Sequence, residues 1–286
     1  MDFERKVKNY RYFLSGAYRD AEQEREKMIE IQNPYDEEVK PKAPRKNNCW
    51  KNYDLRAVNS SIPAEEIVQM IKNAAINGGG IRILFYGASG SGKTKLARYV
   101  ADSIGKEILL KNASDILGMY VGESERKIAE AFGEAGSSDK ILFFDEADSF
   151  FRDRNTSSHS WEVTQVNEFL TQMESFDGIV ICATNLRSVM DKAMQRRFHL
   201  MVEFKPLKAD GVALLLKKYF PKFEFSDYGV KKLCAFNSAT PGDFGMIFDR
   251  LRFLRPKSVT SDYIVQELCK VQEEKSFGQK PIGFVC

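Results

Sequence analysis

The chain has 286 residues, 43% hydrophobic and 29% charged, with a formal net charge of +3 at pH 7. That length suffices for one large domain and a smaller one, and no apolar run approaches the roughly 18 residues that a membrane span requires, so no membrane contact is expected. The small net charge argues neither for nor against nucleic acid. Cys49, Cys182, Cys234, Cys269 and Cys286 are odd in number and widely scattered, which matches neither a disulfide framework nor a zinc site. Reduced thiols in a cytoplasmic protein are the expectation, in keeping with a charged start, "MDFERKVKNY", that lacks the apolar centre of a signal peptide.

Residues 1–54 read as a charged helical appendage and linker. Scattered apolar positions run to about residue 32, and "NPYDEE" then brings a helix-breaking Asn-Pro step. The basic run "KPKAPRK", Lys40 to Lys46, carries two prolines and reads as a solvated tether, with a nucleic-acid or partner contact as the alternative. From about Leu55 the texture changes. "IVQMIKNAAI" has helical apolar spacing, Gly78 to Gly80 break it, and "IRILFYG" is a short apolar run of the kind that forms a buried strand. "KILFFDEA" and "GIVICATN" repeat that pattern with helical segments between, so residues 55–205 are expected to form an α/β domain around a parallel sheet covered on both faces. After Pro206 the strand signal fades. Helices are predicted near 209–219, 227–236, 242–254 and 260–273, making 206–286 a small helical domain and tail.

"GASGSGKT", running Gly87, Ala88, Ser89, Gly90, Ser91, Gly92, Lys93, Thr94, follows a predicted strand and opens a predicted helix. Glycines let the backbone curl so that successive N–H groups face phosphate oxygens, and the helix adds its positive end. Lys93 is expected to reach the β and γ phosphates of ATP, and the Thr94 hydroxyl to ligate Mg²⁺. "ILFFDEAD" ends a buried strand in acids: Asp145 would hold the Mg²⁺ shell and Glu146 would polarise an attacking water, while Asp148 reads as a helix cap. "ATN" places Asn185 at the carboxyl end of the next strand, where open parallel sheets gather ligands, to orient the water and touch the γ phosphate. In "MDKAMQRRFHL", Arg196 and Arg197 are adjacent, and an arginine that stabilises transferred phosphoryl charge can come from a neighbouring subunit.

Four motifs in this order, "GASGSGKT", "ILFFDEAD", "ATN" and "DKAMQRRF", resemble an AAA+ ATPase of the branch that includes the proteasomal ATPases, katanin and the membrane-anchored AAA proteases. The resemblance extends from about Leu55 to the last helix, and "SWEVTQVNEFLTQMESFDG" and "TPGDF" are similar to segments of bacterial-type AAA ATPases of varied roles. It implies a P-loop α/β domain with a helical lid and a self-assembled ring, most often a hexamer, with Lys93, Thr94, Asp145, Glu146 and Asn185 acting in cis. Arg196 and Arg197 would act in trans, and their adjacency leaves open which is the finger. "TPGDF" puts Gly242 and Asp243 where other groups carry an arginine sensor.

The resemblance also gives Tyr120, Val121 and Gly122 a role, as the pore loop that grips a protein client. An aromatic ring can grip any extended chain through apolar area, and the helix from about Ser124, with Ile128, Ala131 and Phe132 inward, would couple it to the nucleotide. In "WEVTQVNEFLTQM", Val163, Val166, Leu170 and Met173 read as core, and "RDRNTSSHS" as a surface or pore-facing loop. Two other classes compete with a remodeller of protein clients: a nucleic-acid-acting ATPase, and a nucleotide-gated scaffold, against which Glu146 argues. A DEAD-box helicase is discarded, because no Ser-Ala-Thr follows Asp145 to Asp148 at the next strand.

Overall fold

The structure is a computed structural model that describes residues 53–116, 122–150, 160–185, 192–253 and 259–277. A short 3-10 turn at Leu55–Ala57 leads to α1 (Ala64–Asn77), β1 (Ile81–Gly87), α2 (Lys93–Ile104), β2 (Ile108–Asn112) and the short α3 (Ala113–Ile116). Next come α4 (Glu123–Ser137), β3 (Ile141–Asp145), a 3-10 turn at Ala147–Phe150, α5 (Ser160–Ser175), β4 (Ile179–Thr184), α6 (Lys192–Gln195) and β5 (Leu200–Phe204). Four helices close the chain: α7 (Ala209–Tyr219), α8 (Asp227–Cys234), α9 (Pro241–Leu251) and α10 (Ser261–Phe277). The four helical segments predicted after Pro206 are thus present, α9 ending and α10 extending a few residues from the expected bounds.

The strands form one five-stranded sheet in the order β2-β3-β4-β1-β5, and every pairing is parallel. Alternation within each strand divides the core. Leu84, Leu142, Phe144, Val180 and Cys182 point to one face, where Ile128, Phe132, Phe169 and Met173 of α4 and α5 cover them. Ile83, Phe85, Phe143, Ile181 and Val202 point to the other, under Ile67 and Ile71 of α1 and Leu96 and Val100 of α2. This two-sided burial explains why the strand segments read as unbroken apolar runs, and why all of β4 is buried. Burial pushes the Cys182 thiol upward, which makes it an inert core residue. Val166, Leu170 and Met173 of α5 are core as expected, joined by Phe169.

A third apolar cluster belongs to the helical part, built from Val212, Leu216, Phe244, Ile247, Ile264 and Leu268, and it takes in Ala57 from the segment before the sheet. That segment is strapped to the end of β5: Ser60 pairs with Phe204, and Asn59 Nδ2 donates to the Pro206 carbonyl at 2.5 Å. Among the described residues no helix is long and apolar enough to cross a membrane.

Candidate nucleotide site

Because β1 has β4 on one side and β5 on the other while the chain goes from β1 to the far edge, a crevice opens at the carboxyl ends of β1, β3 and β4. The "GASGSGKT" loop lies in it. Gly87 ends β1 with φ +139, and a Cβ there would stand 2.2 Å from the Phe204 carbonyl oxygen of the neighbouring strand, so only glycine lets the chain leave the sheet at this point. The loop then runs into the N-terminus of α2 at Lys93. A cleft of about 270 Å³ opens here between Gly90, Lys93, Thr94, Glu146, Asn185 and Gly242.

The side chains expected at a nucleotide converge on that cleft. Lys93 Nζ, which is buried, donates to the carbonyl oxygens of Gly87 at 2.7 Å and Ala88 at 3.1 Å and to Asn185 Oδ1 at 2.8 Å. Burial pushes its ammonium down to about 8, against the opposing pull of Asp145 and Asp148. Thr94 Oγ1 donates to Asp145 Oδ2 at 2.8 Å, bringing together the two residues expected to serve one cation. Glu146 is exposed and adopts φ +52, a left-handed conformation that is uncommon outside glycine and clusters at functional sites. That kink turns the chain off β3 just as it leaves the core and sets the Glu146 carboxyl at the cleft.

The residues fit a phosphate group. The Ser91 hydroxyl is buried with no hydrogen-bond partner, in a loop whose Lys93 cation hydrogen-bonds to neutral oxygens. An unpaired buried hydroxyl beside a desolvated cation costs free energy that an anion in the cleft would relieve.

Asp148 has a role that sequence reasoning missed. Its Oδ1 accepts from the Thr184 hydroxyl and from the Asn185 backbone N–H at 3.2 Å. The carboxylate therefore fixes the end of β4 and the place from which the Asn185 amide meets Lys93. The only signal in the sequence was a third acid after a buried strand, which reads equally well as a helix cap. Asp148→Ala should weaken hydrolysis by about tenfold or more while ATP binding persists, because a partly buried charged acceptor is worth about 1.5–3 kcal/mol to the groups it orders. Parallel titrations of nucleotide binding and phosphate release check this.

The helical part reaches the loop through glycines. Gly242 N donates to the Gly90 carbonyl oxygen at 2.8 Å, and a Cβ on Gly242 would lie 2.8 Å from Gly90 Cα, so this approach tolerates no side chain. The turn is held from behind. Thr240 and Asp243 form a capping box at the start of α9, and Lys275 of α10 pairs with Asp243 at 2.6 Å while Gln272 donates to the same carboxylate at 2.8 Å. Asp243 thus points into the helical part, and Gly242 alone of the pair lines the cleft. On the opposite side Tyr53 lies against Gly92 and the Tyr99 ring, 5.7 Å between centroids, and Lys218 of α7 donates to its carbonyl at 3.2 Å.

Arg196 and Arg197 are not brought to this cleft. They follow α6 and precede β5, at the amino edge of the sheet. Gly122 caps α4 with φ +85, and Ile128, Ala131 and Phe132 of that helix are buried as expected. Tyr120, Val121, His159 and Lys40 to Lys46 lie outside the described residues, as do Cys49 and Cys286.

Residues 83–206 match the family model of the ATPase family associated with various cellular activities (AAA). The chain carries an AAA ATPase domain. Its AAA region is 34% identical over 158 residues to a 26S proteasome regulatory subunit homolog of Methanothermobacter thermautotrophicus, a match covering 53% of this chain and 42% of that protein. It is likewise 34% identical over 167 residues to the proteasome-associated ATPase of Streptosporangium roseum, covering 51% and 28%. The same value holds over 169 residues for the ATP-dependent zinc metalloprotease FtsH 2 of Symbiobacterium thermophilum, covering 54% and 29%. The chain therefore spans less than half the length of these relatives. A chain in the solved E. coli MS115-1 HORMA:CdnC:Trip13 complex superimposes with a TM-score of 0.59 at 18% identity, covering 78% of this chain and 89% of that one, a likeness of fold.

Proposed function

We propose that this chain hydrolyses ATP and uses the cycle, within a homo-oligomeric ring of hexameric type, to remodel or unfold protein clients. The observation that carries the ATPase reading is the convergence of Lys93, Thr94, Asp145, Glu146 and Asn185 on one cleft. In this reading the loop N–H groups and Lys93 hold the β and γ phosphates, and the Ser91 hydroxyl gains the partner it lacks. Thr94 and Asp145 would hold Mg²⁺, which supplies charge neutralisation across the β and γ phosphates when bound. Asn185, steadied by Asp148, orients the lytic water. Glu146 accepts a proton from that water as its oxygen bonds to the γ phosphorus and the bond to the β-bridging oxygen breaks, leaving ADP and phosphate.

The remodelling half of the proposal is supported by the proteasome-type and FtsH relatives, and its working part is Tyr120 with Val121 and Gly122, ahead of α4. Steady-state ATPase of the wild type and of Tyr120→Ala, each alone, with an unfolded polypeptide and with single- or double-stranded DNA, tests it. A polypeptide is expected to stimulate the wild type severalfold and to leave Tyr120→Ala at its basal rate. Stimulation by DNA alone, indifferent to Tyr120, would assign the chain to the nucleic-acid-acting class.

A further inference from the structure

A helix cap needs no cation. At the start of α9 the box of Thr240 and Asp243 already meets two of the backbone N–H groups that a helix start leaves open, yet the Asp243 carboxylate takes three further hydrogen bonds from α10. Lys275 Nζ donates to Oδ1 at 2.6 Å and to Oδ2 at 2.8 Å, and Gln272 Nε2 donates to Oδ2 at 2.8 Å. Lys275 Nζ also reaches the Thr240 hydroxyl at 3.2 Å. Gln272 is held in turn by Ser238, whose hydroxyl donates to its Oε1 at 2.7 Å. Three residues apart, Gln272 and Lys275 share one face of α10, a helix seated in the core of the helical part by Ile264, Leu268 and Val271. The Asp243 side chain is only 7% accessible and that of Lys275 34%, so the pair is largely withdrawn from water.

The turn fixed in this way is the one that meets the phosphate loop. Pro241 brings no N–H, so Gly242 supplies the first backbone donor of α9, and that donor is spent on the Gly90 carbonyl at 2.8 Å. Thr240 Oγ1 stands 3.0 Å from the point where a Cβ on Gly90 would lie. Gly90 itself has φ +76. Because a peptide unit is planar, holding the Gly90 carbonyl also holds the Ser91 N–H on its other side, which closes onto the Ala88 carbonyl at 3.3 Å. The conformation of the loop at Gly90 and Ser91 therefore depends on where the α9 turn stands, and α10 decides that.

We propose that Lys275, with Gln272, is a positioning residue of the nucleotide site: from the last turn of α10 it holds the α9 turn against Gly90 and so sets how tightly the phosphate loop takes a nucleotide. This role rests on the reading of the cleft as an ATP site. Asp148, Thr184 and Asn185 make their mutual bonds on the sheet side of the cleft, away from this cluster, so the loss of Lys275 acts on binding and spares the chemical step. A loop that spends a tenth of its time in the receptive conformation binds about tenfold more weakly.

The test pairs a binding measurement with a rate. In Lys275→Met the KM for ATP and the dissociation rate of a fluorescent ATP analogue should each rise about tenfold, while kcat at saturating ATP stays within about twofold of wild type. That variant leaves the Asp243 carboxylate without its cation and should also melt lower. Asp243→Asn/Lys275→Met removes both charges, so it should melt closer to the wild type and still bind the analogue about tenfold more weakly. Gly242→Ala breaks the same contact from the other side, and adding Lys275→Met to it should weaken binding little further, since the two changes act on one interaction. Wild-type affinity in the double variant would overturn the proposal and leave the cluster as a cap of α9 alone. A fall in kcat at unchanged KM, or full additivity with Gly242→Ala, would overturn it as well. A wild type that does not bind the analogue would instead remove the reading of the cleft as an ATP site.

Discussion

Lys93→Met is expected to lose ATP binding by roughly 100-fold or more, on the order of 3 kcal/mol, because the partner of a desolvated phosphate charge is removed. The empty protein should show no comparable loss of thermal stability. Lys93 is buried against neutral oxygens, and burial pushes its pKa from 10.5 down to about 8, so the folded state bears a cost for its charge. The sign follows from linkage. Below about pH 8 the lysine is charged whether folded or unfolded, and the cost is full; between about 8 and 10.5 the unfolded chain binds the extra proton, so this group's penalty fades as pH rises. Phosphates in the cleft restore the charge, so ATP binding near pH 8.5 should take up a proton, and at about pH 6.5 take up none. Calorimetric titration in buffers of different ionisation heat reads both, and equal proton uptake at the two pH values would contradict this assignment for Lys93.

Glu146→Gln separates binding from chemistry. The amide keeps the size and hydrogen-bonding reach of the acid but cannot take a proton, so hydrolysis should fall by about 10²–10⁴-fold while ATP affinity stays within about twofold of wild type, since charge on the phosphates is met elsewhere. Folding should be little affected, because Glu146 is exposed and its left-handed backbone, φ +52, is held by β3 on one side and the buried Ala147 on the other. Equilibrium binding of a non-hydrolysable ATP analogue beside phosphate release provides the measurement, and turnover at the wild-type rate would remove Glu146 from the mechanism. The same variant, locked with ATP bound, is the one in which assembly should be most persistent, as ligand binding to the assembled state drives its population by mass action.

What could be read from sequence was local. The phosphate loop is contiguous, its glycines answer to backbone geometry at their own positions, and it must lie between a strand and a helix, all of which "IRILFYGASGSGKTKLARYV" states outright. The acids of "ILFFDEAD" were legible for a related reason: carboxylates at the end of a buried strand are costly without a cation or solvent to meet them. The apolar runs announced a sheet covered on both faces, and helical periodicity after Pro206 announced the four closing helices.

What only the tertiary structure decided were pairings between positions far apart in the chain, which carry no local signature. Asp148 acquires a task only when β3 and β4 are adjacent and Thr184 and Asn185 come within reach of its carboxylate. Gly242 is an ordinary helix-start glycine until the start of α9 closes on Gly90, and Asp243, which stands where other groups carry an arginine sensor, is claimed from the other side by Lys275 and Gln272. Two adjacent arginines are equivalent as letters. They become different because Glu174, twenty-odd residues earlier on α5, reaches one and not the other, and because the parallel register sets both at the opposite end of the sheet from the chain's own phosphate loop. Sequence determines which groups exist and what local backbone they require; the order of strands and the packing of helices on them determine which groups meet, since a side chain's free energy depends on the neighbours that replace its water.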